Sequence, residues 1–297
     1  MIYTCTTNPS LDYYMTLKQL NMGEDNRSEM EVFDAGGKGV NVSIVLNNFH
    51  IQSSCLGFLG GFVKDFYLSF ISRYPYIQPL FTTIKDNSRI NLKIMDDKYE
   101  TGLNAIGPQI SDEEFAKFKS KLSCIYENDI FVLSGSIENE IEDRMIETIH
   151  DLASEGVRIV LDTEIHIIDS CLDVKPLLVK ICERDVKDNN TTIIDMANKM
   201  IEKGAQYVLY SEPNQSSYLF TQETCYICDK LNSVSLNTTG YSDSMVAGFI
   251  YSVIRGGNAI EMFKYAIAAS VASSISNDLD SKQKIEEVFN TIEVKEL

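Results

Sequence analysis

The sequence predicts an α/β protein built on a mostly parallel central sheet with helices on both faces. Two observations carry that expectation. Short apolar runs recur along the chain, at Ile2 to Cys5, Cys55 to Leu59, Ile130 to Leu133, Val157 to Leu161, Leu177 to Ile181 and Tyr207 to Tyr210. Amphipathic stretches of helical period fall among them, at Ser111 to Leu122, Glu140 to Ala153 and Thr192 to Lys203. A strand that is apolar at consecutive positions buries both faces, and parallel neighbours need crossover connections that are usually helices.

Each element has a local reason. The runs are four or five residues rich in Ile, Val, Leu, Phe and Tyr, the types that fit a pleated, buried surface. Ser111 precedes its helix with Glu114 three residues on, which is the pattern of a capping box. Two segments depart from the rhythm. Ser28 to Phe33 and Ser88 to Met95 alternate with period two, as half-exposed strands do. In the second, Ile90, Leu92 and Ile94 share one face while Arg89, Asn91 and Lys93 share the other. Such a strand suits either a flap over an anionic ligand or a solvated sheet edge.

The chain has 297 residues, 44% hydrophobic and 23% charged, enough for a sizeable core. Its formal net charge of -17 repels DNA, RNA and anionic membranes, so neither a nucleic-acid nor a membrane partner is expected. A cation beside glycines is therefore informative. No apolar run approaches the roughly 18 residues of a membrane span. The N-terminus lacks a basic segment leading into a long apolar one, so a secretory leader is not expected. Seven scattered cysteines, an odd number, fit free thiols in a reducing cytoplasm. Cys225 and Cys228 form a C-x-x-C without companions for a zinc site, and the three histidines, His50, His150 and His166, are isolated. No repeat or linker divides the chain.

Two segments can carry chemistry. In Asp34-Ala-Gly-Gly-Lys-Gly-Val-Asn-Val-Ser43 a glycine cluster runs into a helical pattern, where backbone can approach a ligand and the helix start offers free N–H groups to an anion. Lys38 and Asn41, three apart, can face one pocket. A tight glycine turn before a helix would look the same. In Asn237-Thr-Thr-Gly-Tyr-Ser-Asp-Ser-Met-Val-Ala-Gly-Phe249, Asp243 falls in the first turn of an apolar helix. On residues alone it could be a capping carboxylate or a reactive one.

These segments, G-G-K-G-V-N-V-S and N-T-T-G-x-x-D-S-M-V-A-G-F, resemble the two signature regions of the PfkB family of the ribokinase superfamily, nearest the 1-phosphofructokinase and tagatose-6-phosphate kinase subgroup. Thr7-Asn8-Pro9-Ser10-Leu11-Asp12 is similar to the family's T-x-N-P-x-x-D. Ser88-Arg89-Ile90-Asn91-Leu92-Lys93 is similar to its T-R-x-N-x-K, and Ser134-Gly135-Ser136 to its S-G-S.

The resemblance implies a ribokinase-like three-layer αβα sandwich over residues 1–297, with a small β lid from about 10–34 and 86–104. It implies an ATP-dependent kinase of a sugar phosphate, using Mg2+ with ATP. Asp243 would be the base, and Gly240, Tyr241, Ser242 and Asp243 the anion hole. Asp12, Gly37, Lys38, Asn41, Arg89 and Asn91 would bind the sugar phosphate, with Lys38 and Arg89 on its existing phosphate. Lys180, Ser211, Thr238 and Gly240 would border the nucleotide, and Asp185 would take the position associated with the metal. Homodimers through the lid strands are a further expectation. The nucleotide side departs from the family pattern: G-A-G-D reads Gly240-Tyr241-Ser242-Asp243, K-P-N-x-x-E reads Lys180-Ile181-Cys182-Glu183-Arg184-Asp185, and the S-x-G-x-x-G-A loop has no glycine in Ser211 to Ser217. Ile137-Glu138-Asn139 follows S-G-S where the family usually has prolines, and Gly102 stands where a lid glutamate is common. These changes raise a second expectation, a protein that binds a sugar phosphate without transferring phosphate.

Overall fold

The computed structural model describes residues 1–211, 215–229, 240–274 and 282–297. Its main sheet contains β1 (Ile2–Thr6), β4 (Ser53–Gly60), β5 (Ile77–Pro79), β6 (Thr82–Ile84), β9 (Ile130–Ser134), β10 (Arg158–Asp162), β11 (Leu178–Ile181), β12 (Val208–Tyr210), β13 (Ser217–Phe220), β14 (Cys225–Cys228) and β15 (Lys295–Glu296). The order across it is β15-β14-β13-β12-β11-β10-β9-β1-β4-β5, with β6 also on β4. Every pairing from β12 to β5 is parallel, and β13 to β15 extend one edge antiparallel. The six apolar runs of the sequence are β1, β4 and β9 to β12, each within two residues of its expected ends.

Helices cover both faces. α3 (Asp112–Lys121), α4 (Glu142–Ser154), α5 (Ile165–Ser170), α6 (Glu183–Asp188) and α7 (Ile193–Lys203) lie on one side; α1 (Lys38–Asn48), α8 (Tyr241–Ile254), α9 (Ala259–Ser274) and α10 (Lys282–Phe289) lie on the other. Strand alternation sorts the core. Tyr3, Phe131, Leu133, Ile159 and Val179 pack with the first group, whereas Ile2, Ile130, Val132, Val160 and Leu178 pack with the second. α2 (Gly61–Ile71) joins α1 over β4 and β5 in a third cluster around Tyr67 and Phe70. Ser111 and Glu114 form both halves of the expected capping box.

A separate sheet of β2 (Ser10–Thr16), β3 (Met30–Gly36), β7 (Arg89–Met95) and β8 (Glu100–Leu103) runs in the order β3-β2-β7-β8. The usual polarity is reversed on β7. Asn91 is buried and Ile90 is 40% exposed, so the polar face turns inward to the protein. Both cysteines of the C-x-x-C sit on β14, and all seven thiols are free. Among the described residues no helix is long and apolar enough to cross a membrane.

Candidate active site

The carboxyl ends of β9 to β12 converge on one cavity of about 460 Å3. In an open α/β sheet this is where ligands bind, because the loops leaving parallel strands splay apart there. Each strand contributes: Gly135 and Ser136 after β9; Asp162, Thr163 and Glu164 at the end of β10; Lys180, Cys182, Arg184 and Asp185 from β11 into α6; and Ser211 after β12. Lys38 enters from the start of α1, and Tyr241 and Ser242 from the start of α8. Lys38, Lys180 and Arg184 meet Asp162, Glu164 and Asp185 here, so cations are concentrated in this cavity of a chain with net charge -17.

Asp243 directly follows the lining residues Tyr241 and Ser242 and is 4% exposed, in the first turn of α8. Gly240, the residue before the helix, has φ +74, a left-handed conformation that glycine adopts without strain. An α-helix leaves its first amides without intrahelical partners, so those of α8 can be offered to an anion. Asn41 Nδ2 donates to Asp243 Oδ2 at 2.8 Å. Burial pushes the Asp243 carboxyl up to about 6; Lys38 and Lys180 pull against it, and Asp162 adds to it. A carboxylate so placed can take a proton near neutral pH.

Lys38 Nζ forms an ion pair with Asp162 Oδ1 at 3.1 Å. Burial alone would lower its pKa, but Asp162 and Asp243 together raise it, so it stays charged. As the first residue of α1, Lys38 reaches the end of β10, while the resemblance implies a role with Arg89 on the acceptor's phosphate. Arg89 is not among the residues lining this cavity. Its Nη2 donates to Asn8 O at 3.0 Å, and its Nε is buried without a partner.

The sugar-side residues gather between the two sheets. Asp12 Oδ1 accepts from Asn91 Nδ2 at 2.9 Å and from Ser10 Oγ at 2.6 Å. Gly36 makes this close approach available, since a Cβ there would stand 2.3 Å from Asp12 Oδ2. Gly37 has φ +152 and caps α1. The glycine cluster thus admits protein neighbours as well as a ligand. One early amide of α1, that of Gly39, is already taken by Thr6 Oγ1 at 3.0 Å.

The nucleotide-side departures have local explanations. Tyr241 borders the cavity but is only 9% exposed: its ring packs with the core beneath α8 and α9, and its hydroxyl meets Ser211 Oγ at 3.2 Å. Ser211 also bonds Ser217 Oγ at 2.8 Å. Ser242 Oγ is buried without a partner beside the α8 amides. Asp185 Oδ2 accepts from Cys182 N at 2.8 Å, which caps α6, and its side chain still borders the cavity. Thr238 lies outside the described residues. Sequence reasoning missed Asp162, Glu164 and Arg184. A signal was present for Asp162, because a lone carboxylate directly ends the apolar run Ile159 to Leu161.

Among the described residues no group of three or more His, Cys, Asp or Glu is gathered to hold a metal ion. The cavity nevertheless offers hard oxygen donors in Glu164 and Asp185, and Asp162 Oδ2 is buried without a partner. Mg2+ keeps most of its waters and needs only one or two carboxylates beside substrate phosphates, so this donor set fits it.

A parallel three-layer sandwich with a small second sheet, a glycine-led helix start and a buried carboxylate is the architecture of ribokinase-like small-molecule kinases. The pfkB family carbohydrate kinase model matches residues 6–276. The chain is 31% identical to the 1-phosphofructokinase of Bacillus subtilis (strain 168), over 100% of both chains. It is 27% identical to the D-tagatose-1-phosphate kinase of Bacillus licheniformis, again over 100% of both. The crystal structure of phosphofructokinase-2 from Escherichia coli in complex with substrates and products superposes with a TM-score of 0.91 over 98% of this chain and 99% of that one, at 21% identity, and shares the fold. The chain belongs to the pfkB family of carbohydrate kinases.

Proposed function

We propose that the chain is a cytoplasmic, ATP-dependent kinase whose acceptor is a sugar phosphate of the fructose 1-phosphate or tagatose 6-phosphate class. The observation that carries this is Asp243: a buried carboxylate in the first turn of α8, bonded to Asn41 and balanced between Lys38 and Asp162. In the reaction, the acceptor's free hydroxyl oxygen bonds to the γ-phosphorus of ATP while the bond to the β–γ bridging oxygen breaks. The hydroxyl proton passes to Asp243, and ADP leaves with the electron pair of the broken bond. Lys38 and the amides of Tyr241 to Asp243 face the charge on the transferring group. Asp12 and Asn91 orient the sugar's hydroxyls, and Lys180 and Ser211 border the nucleotide. Glu164 or Asp185 would hold Mg2+, which when bound would neutralise charge on the nucleotide's phosphates.

The test is a coupled phosphotransfer assay with MgATP against fructose 1-phosphate, tagatose 6-phosphate and fructose 6-phosphate. Turnover on one establishes the class; binding of a sugar phosphate without turnover would return the reading to a non-transferring protein.

Arg89 is assigned to the acceptor's existing phosphate on the strength of its buried, unpartnered Nε. Arg89→Ala is expected to weaken phosphorylated sugars about tenfold or more, the worth of a charge-assisted hydrogen bond, and unphosphorylated ones far less. Equal losses on both, read by calorimetry, remove Arg89 from the phosphate site.

The small sheet is also the proposed contact of a homodimer. Phe33 (49% exposed), Ile90 and Leu103, which share one face by register, leave its outer side apolar, and a thin sheet has little core of its own. Sedimentation is expected to give a dimer that Ile90→Asp with Leu103→Asp converts to monomer. A wild-type monomer at micromolar concentration contradicts this.

A further inference from the structure

One buried carboxylate has no part in the proposed reaction. Glu138 follows the S-G-S turn by two residues, at a position where the family pattern has proline. Both of its Oε atoms are buried, beside the Asn8 side-chain amide. It lies against the residues around Arg89. Asn8 Nδ2 and Glu138 Oε1 converge on Gly107, at 2.4 and 2.5 Å from where a Cβ would stand there, so any larger residue at 107 would displace them. Asn8 is also the residue whose carbonyl holds the Arg89 guanidinium.

The charged and titratable groups facing Glu138 come from three segments. Arg89 approaches from β7, the Cys5 thiol from β1, and Glu140 from the turn that leads into α4. Burial pushes the Glu138 carboxyl up to about 7; Arg89 opposes this and Glu140 adds to it. Glu138 in turn helps burial to hold the Cys5 thiol protonated. Cys5 therefore contributes no charge of its own.

We propose that Glu138 gates the charge of the acceptor's phosphate subsite: protonated, it leaves the Arg89 cation free for a phosphate dianion, and ionised, it offsets Arg89 and repels that dianion. The inference rests on the reading of Arg89 as the phosphate-binding residue. It makes acceptor affinity, and not only turnover, depend on a residue that touches neither nucleotide nor reacting hydroxyl.

The sign follows from linkage. A dianion bound beside Glu138 favours its neutral form, so binding takes up a proton there. Affinity is therefore full below the carboxyl's pKa of about 7 and falls as pH rises through and beyond it, by at most about tenfold per pH unit. The ligand's own second ionisation, near pH 6, acts in the opposite sense and acts equally on any variant. Comparison of two proteins above pH 7 isolates Glu138.

Fructose 1-phosphate and tagatose 6-phosphate, without nucleotide, are titrated by calorimetry into wild type and Glu138→Gln from pH 6 to 9, with free fructose as a control. Glu138→Pro, which restores the residue usual in the family, serves as a second neutral variant. The wild-type Kd for a sugar phosphate is expected to weaken roughly tenfold between pH 7 and 8.5. Both neutral variants should stay flat and bind about tenfold more tightly than wild type at pH 8, while fructose binding should not distinguish the proteins. Parallel pH curves for wild type and Glu138→Gln overturn the role of Glu138 and leave the sugar-phosphate reading intact. Absence of sugar-phosphate binding by every protein overturns that reading, and this inference with it.

Discussion

Asp243→Asn is expected to lower kcat by roughly 10²- to 10⁴-fold, the usual worth of a positioned general base, with sugar-phosphate affinity little changed. Asparagine preserves the shape and can still meet Asn41, but it cannot accept the acceptor's proton. The pH dependence makes the assignment specific. Burial sets the carboxyl at about 6, so wild-type kcat/KM should rise about tenfold per pH unit below that value and level above it. The variant's residual activity should lack this limb. Stability provides a control. A carboxyl whose folded pKa is raised contributes stability at low pH that is lost as pH rises past about 6, so at pH 8 the neutral variant should melt no lower than wild type. Unchanged turnover, or a loss of activity that tracks a loss of folding, sinks Asp243 as the base.

The contrast between what could and could not be read from the sequence follows the range of the interactions. β1, β4 and β9 to β12 were legible because a strand buried on both faces must be apolar at nearly every residue. The antiparallel edge β13 to β15 was not. Its residues are in part exposed, and β15 is two residues that pair with β14 only through a contact across some seventy positions. α2 and α9 gave weak signals for a related reason. α9 packs tightly on α8, where Gly248 would place a Cβ 2.2 Å from Tyr265 O, and that packing selects small residues such as Ala and Ser over a clear amphipathic stripe.

The site divides the same way. Lys38, Asn41 and Asp243 were readable because each adjoins glycines at a helix start. Asp162 and Glu138 were not, since each is a single polar residue near the end of an apolar stretch; the parallel register of β10 with β9 sets Asp162 opposite Ser134 at the cavity, and the proximity of Glu138 to Arg89 comes from segments distant in sequence. Tyr241 shows the limit of reasoning from a motif. By pattern it adds bulk to a phosphate loop; in the structure its ring turns into the core and its hydroxyl into a serine pair.

Lys38→Met should be the second large loss, roughly 10²- to 10³-fold in kcat, as when one preorganised donor to a developing charge is removed. The effect has two parts that pH separates. The ammonium no longer faces the transferring phosphoryl group, which lowers the plateau at any pH. It also no longer draws the Asp243 carboxyl downward, while Asp162 continues to raise it, so the rising limb of kcat/KM should move to higher pH than in wild type. A lysine that merely held the acceptor's phosphate would raise KM for phosphorylated sugars and leave the position of that limb alone. Stability should change little, about 1 kcal/mol or less, because the Lys38 side chain is 44% exposed and water screens its pair with Asp162. Lys38→Arg keeps the charge and should retain the wild-type limb even where its bulk lowers turnover. An unmoved limb in Lys38→Met, together with a KM effect confined to phosphorylated acceptors, would return Lys38 to the role beside Arg89 that its glycine-rich motif first implied.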